Sequence, residues 1–278
     1  MIKKKVQKKN SKTSLEKTKD IELSIQFSLG GFSFCVTNSI TKEDLFFSEY
    51  CFNKPLKTPN DLLTQIETIF KEDTNLQLQY SKILVIHQNN LSALVPEKYF
   101  KEEAIKSYLN FNLKTLKSDF FTYDDLPTLH IKNIYIPYVN INNYLFQNFG
   151  EFDYKHYSTI LLEKLCKIEH TDENTMYVNL ANNSFHIVVF NHKKLIFSNS
   201  FDFETKEDFL YYLLFTAEQL ALNTEKIHLY LLGDIKKDSK LYNEIYTYIK
   251  NVYFLESKNP IFNDLDISKH SNYILLGL

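Results

Sequence analysis

The chain has 278 residues, of which 44% are hydrophobic and 24% charged, with 23 Phe, 19 Tyr, five Gly and six Pro. Aromatic side chains bring large apolar areas, and so few chain breakers exclude a collagen-like or disordered polypeptide. Net charge is −2, but residues 1–20 carry eight Lys against Glu16 and Asp20, so +6 sits there and −8 on the remainder. The sequence contains no arginine, which removes the bidentate fork used to read guanine edges and argues against specific DNA binding.

Residues 1–20 are expected to form a disordered basic tail, since they offer almost nothing to bury. Such a tail could contact RNA or acidic partners electrostatically. The basic start is followed by no apolar stretch, so no signal peptide is expected. No run approaches the roughly 20 apolar residues of a membrane span. Cys35, Cys51 and Cys166 are odd in number without metal-type spacing, so buried free thiols in a reducing cytoplasm are expected.

Order is expected from Ile21. Leu23–Ser28 and Phe32–Thr37 read as a hairpin around Gly30-Gly31, a pair expected to supply positive φ at the turn. A strand at Leu45–Phe52 follows, then a helix opened by Thr58-Pro59-Asn60-Asp61 with the stripe Leu62, Leu63, Ile66, Ile69, Phe70. Lys82–His87 has the continuous apolar character of a strand covered on both faces. Leu91–Val95 reads as a strand and Glu97–Asn110 as a helix. Ser118–Asp125 reads as loop or edge strand, and Leu129–Val139 as a strand limited by Pro137. Ile141–Phe149 and Thr159–Cys166 are expected helices, and Asp172-Glu173-Asn174 a polar break.

After the break the pattern restarts. Met176–Ala181, the turn Asn182-Asn183, Ser184–Phe190 and Lys194–Phe203 read as three strands. A helix at Lys206–Ala221, a strand at Ile227–Gly233, a helix at Ser239–Ile249 and a strand at Val252–Leu255 complete it, with an apolar segment Tyr273–Leu278 at the end. Placing Leu23 on Met176, an offset of 153 residues, puts Phe32 on Phe185 and Val36 on Val189. One duplication at half the chain length implies two similar lobes with a cleft between them, here 21–174 and 175–278.

The carrying stretches are Leu23–Phe34, Met176–Leu180, Phe197–Phe201 and Leu231–Ile235. Through them the chain resembles the bacterial family called domain of unknown function 3822, and more distantly the type IV pilus assembly ATPases. That resemblance implies an α/β, duplicated actin-like ATPase (ribonuclease H-like) fold. Each lobe would hold a mixed five-stranded sheet flanked by helices.

In active members of the actin, sugar-kinase and Hsp70 superfamily the resemblance implies strand–Asp–x–Gly at each hairpin, the Asp holding hydrated magnesium. The matching positions here are Gln26 and Ser28 in the first hairpin, Asn179 and Ala181 in the second. Neutral amides add no charge toward Mg²⁺, and phosphoryl transfer depends on that neutralisation. A glycine-rich adenosine turn is reduced to Gly233, followed by Asp234 and Ile235, whose side chains would crowd a base. Gly30, Gly31, Asn182 and Asn183 keep permissive turns whose N–H groups could face an anion.

The resulting expectation is a degenerate actin-like protein that acts as a scaffold or binds partners, with self-association in view and weak ATP/Mg binding at most. The alternatives are a divergent ATPase or small-molecule kinase using Asp234, and an RNA-associated factor using the Lys tail. Other constellations are weaker. Cys166 and His170 are four apart but lack an orienting group and an oxyanion site. Asp124-Asp125 and Glu102-Glu103 should diverge, and His87 reads as a satisfied structural histidine. Phe209, Tyr211, Tyr212 and Phe215 read as core and lobe contact.

Overall fold

The computed structural model describes residues 2–9, 20–168, 174–263, 265 and 267–278. Contacts divide these into two units: Met1–Leu161 with Asn263–Asp266 and Ile274–Leu278, and Leu162–Phe262 with Ile267–Tyr273. On sequence, residues 274–278 belong to the second lobe and the boundary falls at 174. By contact they belong with the first unit, and the division lies after Leu161.

The first unit is built on β1 (Ile2–Lys9), β2 (Ile21–Ser28), β3 (Gly31–Asn38), β4 (Asp44–Phe52), β5 (Lys82–His87) and β9 (Asp153–His156), in the order β1-β4-β3-β2-β5-β9. β2, β3 and β4 form an antiparallel meander, while β5 pairs parallel with β2 and β9 parallel with β5. The strand β1 corrects the expected disordered tail, because Ile2–Lys9 pair antiparallel along β4. The physical reason is that the edge of β4 presents backbone N–H and C=O groups on which another strand can pair. Residues 10–19 of the expected tail, and His170 of the Cys166/His170 pair, lie outside the described residues.

Helix α1 (Pro59–Glu72) starts where the sequence predicts, with a capping box in which Asp61 N donates to Thr58 Oγ1 and Thr58 N donates to Asp61. Its face Leu62, Ile66, Ile69 and Phe70 is buried against β2 and β3 residues such as Leu23, Ile25, Phe32 and Phe34. Helix α3 (Val139–Phe149) packs beside it through Phe70 and Tyr144, 5.3 Å between ring centroids. A smaller sheet of β6 (Ser92–Pro96), β7 (Thr122–Leu126) and β8 (Ile131–Tyr135) runs in the order β6-β8-β7. It encloses a separate cluster of Val95, Leu109, Ile134 and Ile136 with α2 (Ile105–Asn110).

The helix expected over 97–110 is broken into 3-10 turns at Glu97–Tyr99 and Glu102–Ala104 before α2. The Tyr108 hydroxyl donates to Tyr99 O at 2.6 Å and accepts from Lys101 N at 3.0 Å. A side chain thus meets backbone groups that a continuous helix would have paired. The strand expected at Leu129–Val139 is shorter, since His130 takes a left-handed φ of 54° and Pro137 ends pairing. The strand β9 is not apparent in the sequence, because only four residues pair and their polar pattern Asp-Tyr-Lys-His carries no strand signal.

The second unit repeats the first sheet's topology. β10 (Thr175–Leu180), β11 (Ser184–Asn191), β12 (Lys194–Asp202), β13 (His228–Gly233) and β14 (Asn251–Phe254) run in the order β12-β11-β10-β13-β14. The meander is antiparallel and β13 and β14 are parallel additions. Two mixed sheets of five such strands, β1 being extra, with flanking helices give an α/β architecture of two units. Helix α4 (Tyr157–Leu165) follows β9 and contains the division after Leu161. Helices α5 (Lys206–Gln219) and α6 (Lys240–Tyr248) cover the second sheet, burying Phe209, Leu213, Ala217 and Ile245 against Val178, Ile187 and Leu231.

Helix α5 begins with a second capping box, Asp208 N donating to Thr205 Oγ1 and Thr205 N to Asp208 Oδ2. Thr58→Ala and Thr205→Ala should each cost about 1 kcal/mol of unfolding free energy in urea titrations. A cost below a few tenths would mean the boxes are not held in solution.

Candidate functional site

The candidate residues are placed by the two hairpins and by the turn after β13. The hairpins superpose in register: Phe27 faces Phe32 and Leu23 faces Val36 in the first, Leu180 faces Phe185 and Met176 faces Val189 in the second, each pair shifted by 153. The parallel strands continue the match, because Phe27 pairs with His87 as Leu180 pairs with Gly233. Gln88 N then donates to Phe27 O at 3.0 Å, and Asp234 N donates to Leu180 O at 2.9 Å. Gln88 is therefore the positional counterpart of Asp234.

In the first hairpin Gln26 is tied down, its Nε2 donating to Gln88 Oε1 at 2.6 Å. Its own Oε1 is buried with no hydrogen-bond partner. Ser28 Oγ accepts from Gly30 N at 3.1 Å, closing the turn locally. The expected positive φ at Gly30-Gly31 is not found; the glycines with positive φ are Gly150, Gly233 and Gly277. Gly31 is required for a different reason: a Cβ there would lie 2.8 Å from Tyr50 O on the neighbouring strand.

In the second hairpin Asn179 is 7% exposed, while Asn182 and Asn183 at the turn are exposed. Ala181 N donates to Ser184 O at 2.8 Å across that turn. Gly233 takes φ +87°, and a Cβ there would meet Leu180 O at 2.0 Å and Asn179 Oδ1 at 2.9 Å. The turn is wrapped by the chain itself. Gly233 N donates to His270 O at 2.8 Å, and His270 Nε2 donates to Ile235 O at 2.6 Å. The His270 ring stacks on Phe254 at 4.3 Å and is 6% exposed, and burial lowers its pKa, which keeps the neutral ring. Asp234 projects to solvent. Ile235, expected to crowd a ligand, instead turns inward at 5% exposure and joins the core with Leu231 and Ile245. The expectation failed because an apolar side chain beside a sheet gains more by burial than by facing a cleft.

The donor set at these positions does not fit a hydrated divalent cation. Gln26 and Asn179 present amides, and the Gln26 NH₂ is committed to Gln88. Among the described residues no cluster of three or more His, Cys, Asp or Glu could hold a metal.

A polar cluster that sequence reasoning missed lies inside the first unit. Asp124 Oδ2 accepts from Thr159 Oγ1 at 2.6 Å and from His156 N at 2.8 Å, and Asp124 Oδ1 accepts from Tyr135 OH at 3.1 Å. Asn133 Nδ2 donates to Ser158 Oγ at 2.9 Å and to Thr159 Oγ1 at 2.8 Å. His156 Nδ1 lies 2.7 Å from Ser158 Oγ. The Asp, His and Ser do not form a relay, since the carboxylate meets the His156 backbone rather than its ring. Ser158 is 1% exposed and His156 fully buried, so no substrate reaches them. Burial raises the Asp124 pKa. Asp125 points the other way, to Lys132, so the adjacent acids diverge as expected.

His87 is buried, with Nε2 2.9 Å from Asn142 Oδ1 and Nδ1 accepting from Tyr138 N at 3.2 Å. It is a satisfied structural residue. None of the cysteines is in a disulfide; Cys35 is buried and Cys51 and Cys166 are half-buried. Burial raises the Cys166 thiol pKa, the opposite of an activated nucleophile. No helix among the described residues is long and apolar enough to cross a membrane.

These two sheets, each a meander extended by parallel strands, define the class. The fold matches a Bacteroides thetaiotaomicron VPI-5482 protein with actin-like ATPase fold and unknown function, at TM-score 0.81 and 24% identity over 94% of this chain and 96% of that one. It also matches the PilM-PilN type IV pilus biogenesis complex, at TM-score 0.55 and 13% identity over 84% of this chain and 88% of that one. The chain belongs to the family DUF3822, described as a protein of unknown function, whose model matches residues 10–252. No curated protein matches.

Proposed function

We propose that the chain is a partner-binding protein built on an actin-like frame that has lost its phosphoryl-transfer chemistry. The observation carrying this reading is the pair of amides at matched positions, Gln26 and Asn179, where the fold's active members place acids. The Gln26–Gln88 bond supports it, because the amide is spent on a neighbouring side chain. So does the Gly233 turn, whose N–H is taken by the His270 carbonyl. The two units are read as products of one duplication, given the shared offset of 153 in pairing register. PilM, a protein of this fold, is known in complex with PilN, so the frame can carry a protein partner.

Isothermal titration of the full chain with ATP and Mg²⁺ should give no micromolar binding, and phosphate release should not exceed the uncatalysed background. Steady release that vanishes on Asp234→Ala would overturn this reading in favour of a divergent ATPase or kinase.

A further inference from the structure

We propose that a cavity of the first unit, between α3 and the starts of β5 and β9, binds an organic ammonium cation through aromatic faces and a carboxylate. The proposal goes beyond the partner-binding reading and does not rest on it. The cavity also lies away from the hairpin positions. Lys82, which lines it, pairs with Glu22, whereas Gln26 pairs with Ile86 four residues further along the strand, about 13 Å away at the rise of a β-strand.

Local structure builds the cavity. Helix α3 sets Asn142, Asn143 and Phe146 on one face, since residues three and four apart are neighbours on a helix. Gly150, at φ +77°, ends that helix, and its N–H donates to Phe146 O at 2.9 Å. The chain then returns through Glu151 and Phe152 into β9, whose parallel pairing with β5 sets Asp153 beside Leu84. The space between these elements is about 510 Å³ and opens to solvent, the size of a small-molecule site. Every residue lining it falls within 81–154, inside the first unit.

The lining selects for positive charge. Phe152 and Tyr154 alternate along an extended segment and so share a face, with ring centroids 6.3 Å apart and planes inclined at 63°. Both are half-buried, packed against the core while also lining the cavity. Phe146, 59% exposed, brings a third ring from α3. Aromatic faces attract cations, and two steeply inclined rings reach one cation together. The charged side chains agree. Glu151 and Asp153 line the cavity against Lys82 alone, and Lys82 Nζ is already 3.1 Å from Asp153 Oδ2. That pairing leaves Glu151 to meet the charge of the ligand. An anion would face a net negative lining, and an uncharged apolar ligand would gain nothing from the carboxylates. The −8 carried by the chain beyond residue 20 also draws cations toward this body.

Choline titrated into the full chain, followed by the NMR signal of its methyl groups, should bind saturably. Phe146→Ala and Glu151→Gln should each weaken it about three- to fivefold. Both side chains are exposed, so urea midpoints should stay unchanged and separate lost binding from misfolding. The uncharged analogue of choline, with tert-butyl in place of trimethylammonium, should bind far more weakly. A lysine blocked at both backbone ends is the second probe. Tighter binding of this probe assigns the site to a side chain of a polypeptide, and tighter choline to a free quaternary cation; either result supports the proposal. No saturable binding of either probe, equal binding of the uncharged analogue, or affinity indifferent to both substitutions overturns it. Such a failure leaves the partner-binding reading standing, because that reading is tested by ATP titration and phosphate release.

Discussion

Gly233→Ala is expected to lower the unfolding free energy by about 3–5 kcal/mol, which places it among the most damaging single substitutions. Two costs add. The residue sits at φ +87°, where a side chain is strained. The added Cβ would also lie 2.0 Å from Leu180 O, a backbone atom held in place by accepting from Asp234 N at 2.9 Å. Neither partner can step aside without breaking the strand pairing of β10 with β13. Gly150→Ala is the control: its φ is +77°, but nothing lies within 4 Å of the new Cβ. Only the conformational cost then applies, about 1–2 kcal/mol. Equal losses for the two in denaturant titrations would show that the close approach at Gly233 contributes nothing.

A second large effect is expected on acidification. Burial lowers the pKa of both His87 and His186 from 6.5 to about 4. His87 is surrounded by Phe27, Tyr138 and Tyr154, ring centroids 4.8–6.2 Å away. His186 lies 2.7 Å from Ser198 Oγ and 3.2 Å from Ser200 Oγ. Each ring is neutral when folded and titrates near 6.5 when unfolded, so the unfolded chain binds more protons between those values. The stability these groups contribute is full above pH 6.5 and is lost as pH falls toward 4. The loss is about 3 kcal/mol for each ring, against typical total stabilities of about 5–15 kcal/mol.

Asp124 acts in the opposite sense. Its raised folded pKa means that protonation returns some stability as pH drops through that value. Urea midpoints measured across the window should fall steeply, and His186→Gln should flatten the curve. A flat profile in the unmodified protein would contradict the burial of both rings.

Much of the candidate site was readable in one dimension, for a specific reason. The two hairpins are local, so a fixed offset places Gln26 on Asn179 without any knowledge of packing. The matched positions Gln88 and Asp234 were not readable, because they come together with the hairpins through parallel pairing across more than 50 residues, and parallel register has no local signature. The glycine pair at 30–31 misled for a related reason. Gly31 is needed where another strand passes, at Tyr50 O, and not by its own turn. The Asp124–Asn133–His156 cluster gathers from three separate elements, so no spacing in the sequence could reveal it.

The sequence by itself determined the order of the two meanders and of the helices that follow them, the helix starts after Thr58 and Thr205, and the presence of amides, Gln26 and Asn179, at matched hairpin positions. Capping and strand alternation are short-range physics, which a linear pattern records directly. Tertiary structure alone decided that His270 wraps the Gly233 turn, that Ile235 enters the core, and that β1 pairs along the edge of β4. Those outcomes depend on which distant segments compete for the same backbone groups and the same apolar surface, and only the folded chain resolves that competition.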